Sequence, residues 1–275
     1  MRRNNLDITK VTGFGSDGAR AMTGLGEGVA GYLLRENPMI VAVHCVAHRL
    51  ALCSSQAARD IPALKEFTED ISGVFYYFKS SVRVERLAAV QELLEDPKIR
   101  VKEVHDVRWL AIYKAVEVFF KCYDSLLTFF GECKDAKGQG YKTKLATYKF
   151  IATVYMFMDV LTWVCALSLV FQRSDLNASR ASLEVDNLLE KLEKFKSGHY
   201  ENTYTAQFEK DVTQDGDRML YKGTHVISSK GKNTFGNTRE KFINNLIANL
   251  NDRFPRADTS VLSALCVLGL RPVFC

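Results

Sequence analysis

The chain lacks a strong charge of either sign. Against 37 Lys and Arg stand 32 Asp and Glu, a net +5 over 275 residues, and the pI is near 8.7. So mild a basic balance permits nucleic-acid contact without demanding it. A cysteine framework is also missing: seven cysteines, an odd number scattered along the chain, exclude a disulfide-stapled scaffold and fit free thiols in a reducing compartment. There is no internal repeat and no low-complexity tract, which sets aside solenoids and propellers. MRRNNLDITK carries charge with no apolar run after it, so no secretory leader is expected. Phosphate-loop, HExxH, GxSxG and kinase signatures are absent, and with them the simplest enzyme assignments. No zinc-finger DNA reader is seen either.

What is present is an ordinary globular composition, 47% hydrophobic and 25% charged, which argues against wholesale disorder. The length suits one large domain or two modest ones. The most informative stretch is residues 11–52. Residues 8–14 include Ile8, Thr9, Val11 and Thr12 and predict a strand. Gly13 and Gly15 precede Ser16 and Asp17, which puts a carboxylate at a strand end, a usual place for a catalytic acid in an α/β fold. The same carboxylate can equally cap the helix that follows. Gly18, Gly24, Gly26 and Gly28 leave room for a loop or a close ligand. A second strand is expected over 39–43, leading to His44, Cys45 and His48 in the first turns of a helix.

From Asp60 the periodicity becomes helical. Ile61, Leu64, Phe67, Ile71 and Val74 recur at helical spacing with Pro62 in the first turn. A second helix covers 83–94, closed by Asp96-Pro97, and 99–104 reads as one more short strand. Beyond Leu110 the patterns are helical, with 134–144 and 211–234 read as loops and a final helix over 239–254 closed by Pro255. Residues 150–171 are apolar and long enough to span a bilayer. Asp159 at their centre would be costly in lipid, so a buried helix and no membrane is the expectation.

Together the patterns G-S-D-G-A-x-x-M-x-G (15–24), H-C-x-A-H-R-L-A-L (44–52) and D-x-R-W (106–109) resemble the hAT superfamily of DNA transposases. So do LSLVFQRSDLNAS (167–179) and FINNLIANLNDRFP (242–255), which are similar to the helical insertion of the subgroup domesticated in animal zinc-finger proteins. The likeness covers nearly the whole chain in order. It implies an α/β fold: a partial RNase H-like core over residues 1–110 and an all-α insertion domain over 111–275. It also implies that Asp17 is the second acid of a D-D-E set, which in the intact family holds two Mg²⁺ ions for phosphodiester attack. Neither of the other two acids has a counterpart here. The expectation is a vestigial Asp17, Mg²⁺ bound only if the missing acids were supplied, no cofactor in this chain, and no transposition.

Cys45 and His48 match the family's C-x-x-H pair. Even with His44 and Cys53 nearby the spacing does not assemble four ligands, so no zinc is expected. Arg108 and Trp109 match an R-W pair that would hold a distorted DNA end, by pairing with phosphate and stacking on a base. Packing of Trp109 into the core, with Arg108 solvated, accounts for them equally well. Arg83, Arg86, Lys98, Arg100 and Lys102 form either a phosphate-facing patch or, given the interleaved Glu85, Glu92, Glu95 and Asp96, a solvated helix face. The implied role is nuclear: binding to DNA or to chromatin proteins, or protein interaction without DNA contact. An incomplete sheet adds self-association as an expectation.

Overall fold

The computed structural model describes residues 7–103, 109–173, 178–199 and 201–254. Residues 7–44 form a small unit of their own. A 3₁₀ turn, Ile8–Lys10, is capped by the Asp7 carboxylate, which accepts the Thr9 N–H. β1 (Gly13–Ser16) and β2 (Val41–His44) pair in parallel, with Ser16 opposite His44. A parallel pair needs a crossover, and α1 (Arg20–Thr23) and α2 (Val29–Glu36) supply it. Asn37 locks the unit. Its side-chain N–H groups donate to the carbonyls of Ile8 and Val11, and its Oδ1 accepts the Met39 N–H, all at 3.0 Å. A Cβ on Gly31 would lie 2.1 Å from the Leu25 carbonyl oxygen, so α2 can cross that segment only on a glycine.

The expected strand over 8–14 is therefore displaced. Ile8–Lys10 is a 3₁₀ turn, and the strand runs instead through Gly13 and Gly15, where pairing with β2 overrides poor local propensity. Residues 99–103 join no sheet. They run extended against α5 (Ser81–Leu93), where the Gln91 amide donates to the Ile99 carbonyl.

The remaining elements build one helical body. α3 (Val46–Arg59) and α4 (Pro62–Tyr77, with the proline in its first turn) precede α5. α6 (Trp109–Lys121), α7 (Tyr123–Glu132) and α8 (Ala136–Leu145) follow it. At the centre lies α9 (Tyr148–Phe171), with α10 (Ala178–Lys196), α11 (Tyr204–Asp211) and α12 (Lys232–Arg253) around it. Every residue of α9 from Phe150 to Leu161 is buried. By length and composition α9 could cross a membrane, yet in this fold α6, α10, α11 and α12 pack against it. Aromatic edges fill the interfaces: Phe157 meets Phe67 and Phe242 with ring centroids 5.4 Å apart in each pair. The core runs from Leu50 to Leu250, drawing on both sides of Leu110.

Asp159, the charge in the middle of the apolar helix, has a defined partner. Its two oxygens accept the N–H groups of Tyr204 and Thr205 and the Thr205 hydroxyl, each at 2.8 Å. These are the orphan donors of the first turn of α11, where a carboxylate is favoured. Burial raises its pKa, and the same hydrogen bonds oppose that rise.

Two expectations for the second half are corrected. Residues 134–144 are not a loop. Asp135 accepts the Gly138 N–H at 2.9 Å and starts α8, and Tyr141 anchors the helix in the core while its lysines face outward. Nor is the region after 111 all-α. β3 (Val212–Asp215), β4 (Arg218–Tyr221) and β5 (His225–Ile227) form an antiparallel meander where a loop is expected. Gly216, with φ +55°, opens the two-residue hairpin between β3 and β4. Met219, Tyr221 and Ile227 are buried, and the Tyr221 hydroxyl lies 2.7 Å from that of Tyr155 on α9. Ser228 then accepts the Tyr148 N–H and donates to the Ala146 carbonyl, pinning the start of α9. Alternation over so few residues is too short to stand out in the sequence. Gly198, expected as a helix stop, does end α10, with φ +89° and the His199 N–H returned to the Lys194 carbonyl.

Candidate nucleic-acid interface

The site is built at the C-terminal ends of β1 and β2. In a parallel pair these ends lie side by side, so Asp17 and the start of α3 must be neighbours. The Cys45 N–H donates to the Ser16 carbonyl at 2.8 Å, tying the two strand ends together. α3 begins at the next residue, with Cys45 as its N-cap and His48 in its first turn. Cys45 and His48 thus stand one turn apart at the start of α3, beside the strand end that precedes Asp17.

Asp17 is exposed, and its Oδ1 accepts the Ala19 N–H at 3.2 Å just before α1. It thus serves the local turn as well as facing the site. The room expected beside it is occupied. The His44 ring lies against Gly18, where a Cβ would come 2.6 Å from its Cε1 and 2.7 Å from its Nε2. His44 also stacks near His48, with ring centroids 5.3 Å apart at a 40° tilt. Its Nε2 is buried with no hydrogen-bond partner among the described residues. Burial first, then the charges of His48, Arg49 and Arg253, hold the His44 pKa below its usual value, while Asp17 acts in the opposite sense.

Two cations complete the site, and neither is singled out by the sequence motifs. Arg49, in the second turn of α3, lies 5.1 Å over the Phe254 ring. Arg253, at the end of α12, donates to the Gln56 side chain at 2.8 Å. Arg49 stands inside the H-C-x-A-H-R run, but Arg253 is 204 positions further on and reaches it only because α12 packs along α3.

The donor set does not fit a two-ion centre. Among the described residues no group of three or more His, Cys, Asp or Glu side chains is placed to hold a metal ion, and two-ion phosphodiester chemistry requires several bridging carboxylates. Cys53 faces away: it is buried, donates to the Asn249 carbonyl at 3.3 Å, and burial pushes its pKa up to about 12. Arg108 and the Trp109 side chain lie outside the described residues, as does Asp106. In the second basic group two of the cations are engaged locally. Arg83 lies 3.9 Å over the Tyr77 ring and Lys98 pairs with Glu92 at 3.1 Å.

What this arrangement can do is hold an anion. Two guanidinium groups, a second imidazole and the exposed Asp17 carboxylate lie within electrostatic reach of the His44 ring, at a helix N-terminus whose N–H groups add positive potential. No protein-family model matches this chain, and no solved structure matches it.

Proposed function

We propose that the chain is a hAT-transposase-derived protein that no longer catalyses transposition and binds DNA, or proteins on DNA, in the nucleus. The observation that carries the reading is the register Ser16↔His44. It brings two of the motifs that carry the resemblance, G-S-D-G and H-C-x-A-H, to one strand end, which supports the reading. The surplus of cations there suits backbone phosphate, which is bound by charge and is insensitive to sequence. A single carboxylate among those cations is a poor centre for divalent ions but does not prevent phosphate binding.

The test is retention of a fluorescent duplex by the purified chain over a salt series. Affinity should fall linearly in log–log form. In the double variant Arg49→Gln/Arg253→Gln the slope should drop by about 1 for each phosphate that is no longer neutralised. Circular dichroism confirms that the variant is folded. Salt-independent binding, or none, would overturn DNA contact. Mg²⁺-dependent strand transfer that disappears in Asp17→Ala would overturn the loss of catalysis.

A second reading, a nuclear interaction module without DNA contact, draws on a groove of about 540 Å³ beside α5. Phe75, Phe78, Leu87 and Val101 line it, with Lys79 and Arg100 at its rim. Absence of DNA retention together with specific protein capture would favour this reading.

A further inference from the structure

The extended run beside α5 is a strand without a sheet. Val101 is buried while Arg100 and Lys102 are exposed, the alternation of a half-buried strand. The Ile99 carbonyl accepts the Gln91 amide, and the Ile99 N–H donates to the Pro97 carbonyl. Beyond it, the main chain of Arg100, Val101 and Lys102 has no hydrogen-bond partner among the described residues. Unpaired groups along an extended chain are a template for a further strand.

This run is also one wall of the groove of about 540 Å³ beside α5. Phe78, Leu87 and Val101, all buried, give the groove an apolar lining. Three cations, Lys79, Lys98 and Arg100, stand against one carboxylate, Glu85, which leaves the lining with a net charge of +2. Lys98 is shared with Glu92 outside the groove, whereas Arg100 has no ion pair among the described residues. Strand addition draws its affinity from main-chain hydrogen bonds and its specificity from pockets for alternate side chains. Both are present here, and the charge selects the sign of the partner.

We propose that this groove takes an extended acidic peptide. The peptide pairs with residues 100–102, lays alternate apolar side chains against Phe78 and Leu87, and turns its carboxylates toward Lys79 and Arg100. A DNA backbone would meet the cations but has no apolar side chain for the lining, so the observations favour a peptide. The inference rests on the interaction reading above and names the chemistry of its partner. Arg49 and Arg253 do not line this groove, so loss of peptide binding and loss of DNA retention are separate results.

The test uses the full chain and a fluorescein-labelled decapeptide that alternates glutamate with valine and leucine. Fluorescence anisotropy should show saturable binding. Methylating alternate backbone nitrogens of the peptide keeps its side chains and removes its donors, and should weaken binding at least about tenfold. Replacing its glutamates with lysine, or the exposed Arg100→Glu in the protein, should weaken it by about the same factor. Bound peptide should slow amide exchange either at Val101 or at Arg100 and Lys102, according to which edge of the run it takes. Binding absent up to about 1 mM, equal affinity for the methylated peptide, or unchanged exchange at all three amides would overturn the proposal. Protection of the same amides by a DNA duplex that displaces the peptide would assign the groove to nucleic acid and overturn it too.

Discussion

The two sheets of this protein have opposite surroundings. The meander β3–β5 turns Met219, Tyr221 and Ile227 inward and is tied to α9 through Tyr155 and Ser228. The parallel pair β1–β2 turns Val41 and Val43 outward, and no described hydrophobic residue before Val46 belongs to the main core cluster. Its unit has a small core of its own, chiefly Ala30, Leu33 and Ile40, fastened by Asn37. Yet the thinner sheet carries the candidate site, with Asp17 and His44 at its end, while the better-buried one is tied into the packing of the helical body. Placing the candidate site on the less buried unit leaves Asp17 exposed at the strand end. It also makes local opening cheap there.

That contrast can be broken at either end. The largest effect should come from Phe242→Ala. The ring is fully buried against Phe157, and its removal should cost about 4 kcal/mol, read as a lower denaturant midpoint for the whole helical body. Asp159→Ala comes next. It strands the Tyr204 and Thr205 N–H groups in the interior and should cost about 3 kcal/mol. Because Asp159 ties α9 to α11, exchange should rise throughout α11. If the midpoint does not move, the buried carboxylate is not what holds α11 in place.

Gly31→Ala tests the other unit. Its Cβ cannot fit against Leu25, and the expected cost of about 2 kcal/mol should appear as faster exchange in β1 and β2 with the α9 amides unaffected. A uniform rise across the chain would show that the two regions unfold together. The smallest effect is that of pH on the same sheet. The native pKa of His44 lies below its usual value, about 6.5. As pH falls, the unfolded chain takes up this proton before the native one does. The contribution is therefore intact above about pH 6.5 and is lost as pH drops through the lowered native pKa. Exchange in β2, corrected for intrinsic rates, should accelerate as pH falls below about 6.5 in the native chain and less in His44→Gln. The charges facing this ring are those of His48, Arg49, Arg253 and Asp17, so raised salt should shrink the difference.

Local sequence determined much of this protein. Helical periodicity marks α4 and α5, whose apolar residues repeat over several turns, and α9 is marked by the length of its unbroken apolar run. Asp17 at a strand end and the Cys45–His48 turn can be read from residues lying close together in the chain. Tertiary structure alone decided the rest. The tetrapeptide Gly13–Ser16 is a strand only because β2 lies beside it, and VTQD and RMLY form a meander because α9 offers them Tyr155. Residues 134–144 look like a lysine-rich loop until Asp135 caps them and Tyr141 finds the core. Arg253 joins the site from the far end of the chain because α12 packs along α3. Short-range periodicity and capping act within a few residues and leave their mark in the sequence. Pairings between residues some two hundred positions apart, such as Arg253 with Gln56, depend on the shape of the intervening fold, which no local pattern encodes.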